Sequence, residues 1–147
     1  MINTRSSRRQ ALSKRYFALP NEIFSLGLKG GAILVYAYLM YCEDRRTYQC
    51  YPSYRTIGNA VGMSKNTVRK FVAQLVEHRL IDTEPTSVIT RAGIKRNGTL
   101  LYTILPISVA VTYHHEQQML RAQHEKDKQE IRVKLAECDR DESDIAV

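Results

Sequence analysis

The sequence predicts an α+β fold, mainly helical, in which an N-terminal domain is followed by a C-terminal helix. Three observations predict it. Apolar residues recur at helical spacing in three segments between residues 29 and 78. Two stretches rich in β-branched and aromatic residues, 80–90 and 99–105, come next and indicate paired strands. Residues 113–142 then lack Gly and Pro and favour an exposed helix.

The composition divides the 147 residues into three parts. Residues 1–15 are rich in arginine and serine, and we expect them to form a flexible basic arm. Residues 16–106 hold the predicted domain, which Pro106 closes. Residues 107–147 form a polar helical tail.

The excess of basic side chains lies in the first two parts. The chain has a net charge of +7 and a pI of about 9.5. With 16 basic and 6 acidic side chains, the first 106 residues have a net charge of +10, whereas the tail has one of −3. A segregated excess of this kind favours a polyanionic partner such as nucleic acid or an anionic membrane.

Cysteine usage and hydropathy indicate the compartment. The three cysteines, Cys42, Cys50 and Cys138, are odd in number and form no Cys-x-x-Cys pair, so we expect neither a disulfide framework nor a structural zinc site. The longest apolar run, Ala32–Cys42, has 11 residues. A membrane span needs about 20. We therefore expect a soluble cytoplasmic protein with no membrane partner.

The first long helix is predicted over residues 29–42. Ala32, Val35 and Leu39 follow helical spacing, and most of the opposite side is apolar as well. A helix that is apolar all round must be covered on several sides, so we place it at the centre of the domain. A single helical turn is expected before it, at residues 21–26.

Two capped helices follow the central one. Ser53 is the expected N-cap of a helix that stops at Gly62, and Ser64 is that of a helix from Lys65 to about His78. The side chains expected to be buried are Tyr54, Ile57, Ala60 and Val61 in the shorter helix, and Val68, Phe71, Val72, Leu75 and Val76 in the longer one.

The short connection between these helices has the residues that a tight turn requires. Gly58 is small where the helices approach, Gly62 can adopt a positive φ, and Met63 fills the turn. Helix, helix, tight turn, helix and hairpin is the order of a winged helix-turn-helix. The alternative is a helical hairpin within some other α-rich protein.

The outer side of the longer helix is basic and polar. At about 100° per residue, Asn66, Lys70 and Ala73 lie opposite its buried stripe. Basic side chains address guanine edges or phosphates, and amides pair with adenine, so we predict binding of double-stranded DNA through the major groove. The predicted contacts are Ser64, Lys65, Asn66, Thr67, Arg69, Lys70 and Gln74 on this helix, and Ser53, Tyr54 and Arg55 at the start of the helix before the turn.

The predicted hairpin supplies a second basic segment. Residues 91–98 join its strands, and Asn97-Gly98 is a dipeptide that favours hairpin turns. Pro85 indicates an irregularity in the first strand. We predict that a wing contacts DNA, the alternative being a hairpin tip that only aids solubility. Its predicted contacts are Arg91, Lys95, Arg96 and Asn97, and the arm adds nonspecific contacts through Arg5, Arg8 and Arg9.

From Tyr16 to Leu105 the sequence resembles a bacterial winged helix-turn-helix family. The resemblance rests on residues 16–24 (YFALPNEIF), 32–41, 51–57 (YPSYRTI), 62–68 (GMSKNTV) and 75–81 (LVEHRLI). It implies DNA binding without catalysis, in stand-alone regulators or in the N-terminal domains of replication initiators and replisome organisers of plasmids and phages. Gly30-Gly31 departs from the family pattern, since better helix formers are usual there.

The tail does not sustain a coiled coil, because Asp127 and Lys134 interrupt its heptad register. Pairs such as Glu125–Lys128 support an exposed helix. Three interpretations remain open: a solvated helix, a homodimer contact through the stripe of Ile131, Leu135 and Cys138, and an acidic contact with a partner or with the basic domain.

An enzyme is the least favoured class. The sequence has no Gly-rich phosphate loop, and His114-His115 lacks the spacing of a metal-dependent nickase. We expect no catalytic residue, no cofactor, no metal and no evident small-molecule effector. A small transcription regulator is the preferred function. The alternatives are a replication initiator or accessory protein of a mobile element and, from another class, a winged helix that binds proteins.

Overall fold

The computed structural model describes residues 16–145, so the predicted arm, including Arg5, Arg8 and Arg9, lies outside the described residues. A 3-10 turn, Asn21–Ser25, precedes the first α-helix. The helices are α1 (Gly30–Cys42), α2 (Tyr54–Val61), α3 (Lys65–Glu77) and α4 (Ile107–Ile145). The strands are β1 (Gln49–Cys50), β2 (Ile81–Glu84), β3 (Ser87–Ile89), β4 (Lys95–Asn97) and β5 (Leu101–Ile104).

The strands form two separate antiparallel sheets. The larger has the order β1-β5-β2, with Ile81 opposite Ile104 and Cys50 opposite Tyr102. The smaller is a ribbon of β3 and β4. The predicted first strand, residues 80–90, is therefore divided into β2 and β3 at Pro85, whose nitrogen has no hydrogen to donate to a ladder. The short strand β1 was not predicted.

Helix α1 lies at the centre of the domain and packs against α2, α3 and β5. Ala32, Val35 and Leu39 are buried, as their spacing predicts. The expectation that the helix is covered on several sides is wrong for its outer side, because Leu34 is 52% and Tyr41 68% exposed. The Tyr41 ring contacts the rings of Phe17 and Tyr38, at centroid distances of 6.2 and 5.9 Å, and stays largely exposed.

The tight turn between α2 and α3 has the predicted geometry. Ser53 Oγ accepts a hydrogen bond from the Thr56 N–H at 3.1 Å, and Ser64 Oγ accepts one from the Thr67 N–H at 3.3 Å. Gly62 ends α2 in the left-handed conformation, with a φ of 72°. A Cβ at Gly58 would collide with the carbonyl oxygen of Met63, so only glycine allows this approach.

One side chain of α2 is placed differently from the prediction. Ala60 is exposed, and the buried residues of this helix are Ile57 and Gly58. Ala60 lies on the outer side of the last turn, whereas its neighbour Val61 is half-buried against the core. The prediction that Ala60 is buried was therefore wrong.

Packing explains why Gly31, a weak helix former, stands in the first turn of α1. A Cβ at this position would collide with the ring atoms Cε2 and Cζ of Phe71 from α3. Gly30, by contrast, has no atom within 4 Å of the corresponding position. The departure from the family pattern at Gly31 thus lies where α1 packs closely against Phe71 of α3.

The chain divides into two units, Met1–Val111 and Thr112–Val147. In the second unit, the only ion pair among the described residues joins Lys128 Nζ to Glu125 Oε1 at 3.5 Å, with both side chains exposed. Ile131, Leu135 and Cys138 are exposed as well. None of the helices within residues 16–145 is long and apolar enough to cross a membrane.

Candidate nucleic-acid interface

Helix α3 separates an apolar side from a basic one. Val68, Val72 and Leu75 are buried in the core. The opposite side exposes the side chains of Lys65, Asn66, Arg69, Lys70 and Ala73. Within the described part of the chain no carboxylate forms an ion pair with any of these cations. The basic groups are therefore free to meet phosphates or base edges.

Two of the predicted contact residues on α3 are less accessible. Thr67 is half-buried, and its Oγ1 lies 2.9 Å from Ser64 Oγ within the N-terminal cap. Gln74 is half-buried too. Both hydroxyl groups of the cap are already engaged with each other, so Ser64 and Thr67 serve first to begin the helix.

Tyr54 connects the start of α2 to the basic side of α3. The guanidinium carbon of Arg69 lies 5.8 Å from the centroid of the Tyr54 ring, a distance at which a cation and an aromatic face attract. Tyr54 itself is half-buried against the core. The contact restricts the Arg69 side chain before any ligand binds.

A groove of about 390 Å³ runs beside this contact. It brings together Ser53, Tyr54 and Arg55 from the start of α2 and Lys65 from the start of α3. Both helices direct their positive N-terminal ends toward this part of the surface. The Ser53 hydroxyl accepts the Thr56 N–H, so its role includes the cap of α2.

The opposite wall of the groove was missed by the sequence interpretation. It is formed by residues 98–100 and by Tyr102. The Thr99 hydroxyl donates a hydrogen bond to the Tyr51 carbonyl oxygen at 2.9 Å, which fixes this wall to the segment before α2. Burial, and next the neighbouring Tyr54, raise the pKa of Tyr102, so its phenol stays neutral. A contact between positions 48 residues apart leaves no local signal in a sequence.

The wing turns at the start of the predicted connection. Gly93 has a φ of 75° and donates its N–H to the Thr90 carbonyl oxygen at 2.9 Å, so the turn lies at residues 91–93. The turn therefore lies within the predicted connection, residues 91–98, but the second half of that connection is a strand, because Lys95–Asn97 pair with Ser87–Ile89. Of the two glycines in the connection, Gly93 is the one that supplies the left-handed conformation of the turn.

The ribbon exposes both basic and apolar side chains. Arg91 lies in the turn, while Lys95, Arg96 and Asn97 lie on β4, and all four are exposed. In the ladder, Val88 pairs with Arg96 and Ile89 pairs with Lys95. The exposed side chains Val88, Ile89 and Ile94 were not singled out from the sequence. Aliphatic stems of arginine and lysine can cover such neighbours while their charged ends remain in water.

The arrangement supports binding through charge and shape. Among residues 16–145, no charged side chain is fully buried, and no three His, Cys, Asp or Glu side chains converge as metal ligands. The exposed cations of α3, Arg55 at the start of α2 and the ribbon all belong to the first unit.

Comparison with a family model agrees with this geometry. Residues 26–81 match the model described as a helix-turn-helix domain. Within the matched segment, two capped helices joined through the left-handed Gly62 have the helix-turn-helix geometry. The match covers α1, α2, α3 and the first residue of β2. With the ribbon and α4 added, the architecture is a winged helix-turn-helix followed by a C-terminal helix, as the sequence predicted.

Likenesses to whole proteins are distant. No curated protein matches the sequence. A "possible transcriptional regulator" from Methanosarcina mazei Go1 is 15% identical, with a TM-score of 0.46, covering 73% of this chain and 79% of that one. ZitR, a zinc-responsive MarR family member from Lactococcus lactis, is 18% identical, with a TM-score of 0.42, covering 86% and 83%. The helix-turn-helix assignment rests on the geometry of α2 and α3 and on the match to the family model.

Proposed function

We propose that this protein binds double-stranded DNA at specific sequences and acts as a small transcription regulator that places α3 in a major groove. The observation that carries the proposal is the exposed side of α3, where Lys65, Arg69 and Lys70 face solvent without an ionic partner among the described residues. In this architecture the helix after the turn is the one that enters the groove.

The dimensions and chemistry of α3 suit that role. Its 13 residues give a length of about 20 Å, and a major groove about 12 Å wide admits one helix. Asn66 offers an amide for adenine, and Lys65, Arg69 and Lys70 offer donors for guanine or phosphate. The small side chain of Ala73 allows a close approach. Ser64, Thr67 and Gln74 complete the proposed contact set.

The start of α2 is proposed to bind the backbone beside that groove. Arg55 is exposed, and the Ser53 cap leaves the positive end of α2 directed at the same surface. Phosphates bind such helix ends through backbone N–H groups and the helix dipole. Tyr54 contributes by positioning Arg69.

The ribbon is proposed to contact the adjacent minor groove or the backbone. Arg91, Lys95, Arg96 and Asn97 are all exposed there. Residues 1–15 add five further positive charges, including Arg5, Arg8 and Arg9, which favours a nonspecific electrostatic contribution. The proposal requires neither catalysis nor a cofactor and places the protein in the cytoplasm.

The test is a capture experiment with sheared DNA from the host, at near-physiological salt, followed by sequencing of the retained fragments. Sharp enrichment beside one promoter is the expected result. Clustered repeats at an origin would replace the regulator with the replication initiator or accessory protein. Binding without enrichment that disappears as salt rises would overturn sequence-specific recognition by this chain.

The spacing of the enriched sites also tests the assembly. A homodimer reads two half-sites related by symmetry and separated by about one helical turn of DNA or a multiple of it. Single, unrelated half-sites would indicate that the protein binds as a monomer.

A further inference from the structure

A second pocket, of about 370 Å³, lies in the first unit and shares no lining residue with the groove beside α2 and α3. It is bounded by the end of α1, the end of β5 and the first residue of α4. Met40, Ile104, Pro106 and Ile107 supply apolar walls. Ligand pockets are commonly of this size, mainly apolar, with a few placed polar groups.

Glu43 is the only acidic side chain that lines this pocket. It follows the last residue of α1, where its N–H donates to the Leu39 carbonyl oxygen at 2.9 Å. Its Oε2 is buried and has no hydrogen-bond partner among the described residues. A buried carboxylate oxygen without a hydrogen-bond donor is unfavourable, so a ligand that donates a hydrogen bond to Glu43 would be stabilised in this pocket.

The surroundings of Glu43 favour a positive group over a neutral donor. The C-terminal end of α1 carries the negative end of the helix dipole beside Glu43. Burial raises the pKa of the Glu43 carboxyl, and nearby Arg45 opposes that rise. Arg45 nevertheless forms no ion pair with it in the described part of the chain.

Two tyrosines also line the pocket. Tyr36 is 1% exposed, and burial, followed by the negative charge of Glu43, raises its pKa to about 12. Tyr48 is exposed and has a φ of 58°, a left-handed conformation that is strained for a residue with a side chain. Its N–H donates to the Asp44 carbonyl oxygen at 2.7 Å, and its own carbonyl oxygen accepts from the Ile104 N–H at 2.8 Å.

We propose that this pocket binds a small organic cation, a primary amine with an apolar body. The ammonium group donates to the Glu43 carboxylate, the apolar body contacts Met40 and Ile104, and the tyrosine rings attract the positive charge. An anion would be repelled by the Glu43 carboxylate. A divalent metal would need further ligands, and no three metal-ligating side chains converge among the described residues.

The test uses 2-phenylethylamine as the probe and isothermal titration calorimetry on the full chain. We expect saturable binding with a dissociation constant in the millimolar range, as befits a ligand of this size. The oppositely charged analogue 3-phenylpropionate gives no saturable heat. Glu43→Gln weakens amine binding at least tenfold, and the control Glu84→Gln, at an exposed position on β2, leaves it unchanged.

A second variant separates charge from space. Met40→Phe reduces the free volume while it keeps the carboxylate, so it too weakens amine binding, and a melting curve of each variant confirms that it is folded. Equal binding by the wild type and Glu43→Gln, or no saturable binding of the amine, overturns the proposal. The titration contains no DNA, so its result is independent of the proposed function.

Discussion

Helices α1 and α3 have 13 residues each and pack against one another, but their surfaces differ in kind. α1 has no charged side chain, whereas α3 has three basic ones and a single acidic one, Glu77. In α3 one side is apolar and the other is basic, so the sequence alone predicts which side is buried. In α1 both sides are apolar, and only the neighbouring elements determine which one is covered. Because its exposed side is basic, α3 is the helix suited to bind a polyanion such as DNA.

The sharpest test of that difference uses two leucines of α1. Leu39 is fully buried and Leu34 is 52% exposed. Leu39→Asp places an unpaired carboxylate in the core and is expected to cost more than about 3 kcal/mol, enough to unfold a small domain. Leu34→Asp is expected to retain the melting temperature to within a few degrees. Both are measured by thermal unfolding, and equal losses would show that the outer side of α1 is covered after all.

The contact between α1 and α3 is tested by its two adjacent glycines. Gly31→Ala forces a methyl group against the Phe71 ring and is expected to destabilise the domain by about 1–3 kcal/mol. Gly30→Ala meets no neighbouring atom and is expected to stabilise it by about 0.5 kcal/mol, because alanine loses less backbone entropy in a helix. Urea unfolding measures both, and a reversed order would place the close approach elsewhere.

The outer side of α3 is tested by measuring the DNA affinity of variants that remain folded. Arg69→Ala combined with Lys70→Ala is expected to weaken DNA binding at least tenfold, which is about 1.4 kcal/mol, at an unchanged melting temperature. Lys126→Ala combined with Lys128→Ala removes the same charge from α4 and serves as the control. Fluorescence anisotropy with a captured DNA site measures both. An unaltered affinity of the α3 variant would favour a winged helix that binds proteins.

The uncharged interior around α1 predicts a smaller effect at alkaline pH. Burial, reinforced by Cys42 and Glu43, raises the pKa of the Cys50 thiol to about 12. A raised folded pKa means that stability is complete below the ordinary thiol value and is lost as the pH rises toward the folded one. We expect a loss of about 1 kcal/mol between about pH 8 and about pH 9.5. Cys50→Ala is expected to reduce that slope, and an identical slope would assign it to other groups.

The sequence allowed good prediction wherever a local rule applied. Caps at Ser53 and Ser64, the left-handed Gly62 and the small Gly58 each follow from a neighbour a few residues away, and the structure confirms them. The DNA contacts assigned to α3 stay predictions, although the exposure of Lys65, Asn66, Arg69 and Lys70 agrees with them.

What the sequence did not reveal depends on distant partners. The role of Gly31 is set by Phe71, which lies 40 positions further along the chain. The exposed outer side of α1 and the exposed Ala60 depend on where other elements stop. The predicted connection, residues 91–98, contains the turn at Gly93, but its second half forms β4, because Lys95–Asn97 pair with Ser87–Ile89 on the other side of the turn.

The ribbon has one further consequence. Among the described residues it shares no strand pairing with the larger sheet, and at its base the Gly98 N–H donates to the Thr86 carbonyl oxygen at 2.7 Å while the Thr86 hydroxyl donates to the Thr99 carbonyl oxygen. Residues 87–97 are thus an exchangeable module. Such a segment can be lengthened, shortened or grafted from another protein without repacking the interior, so the reach of the proposed DNA contact can change while the helices stay the same.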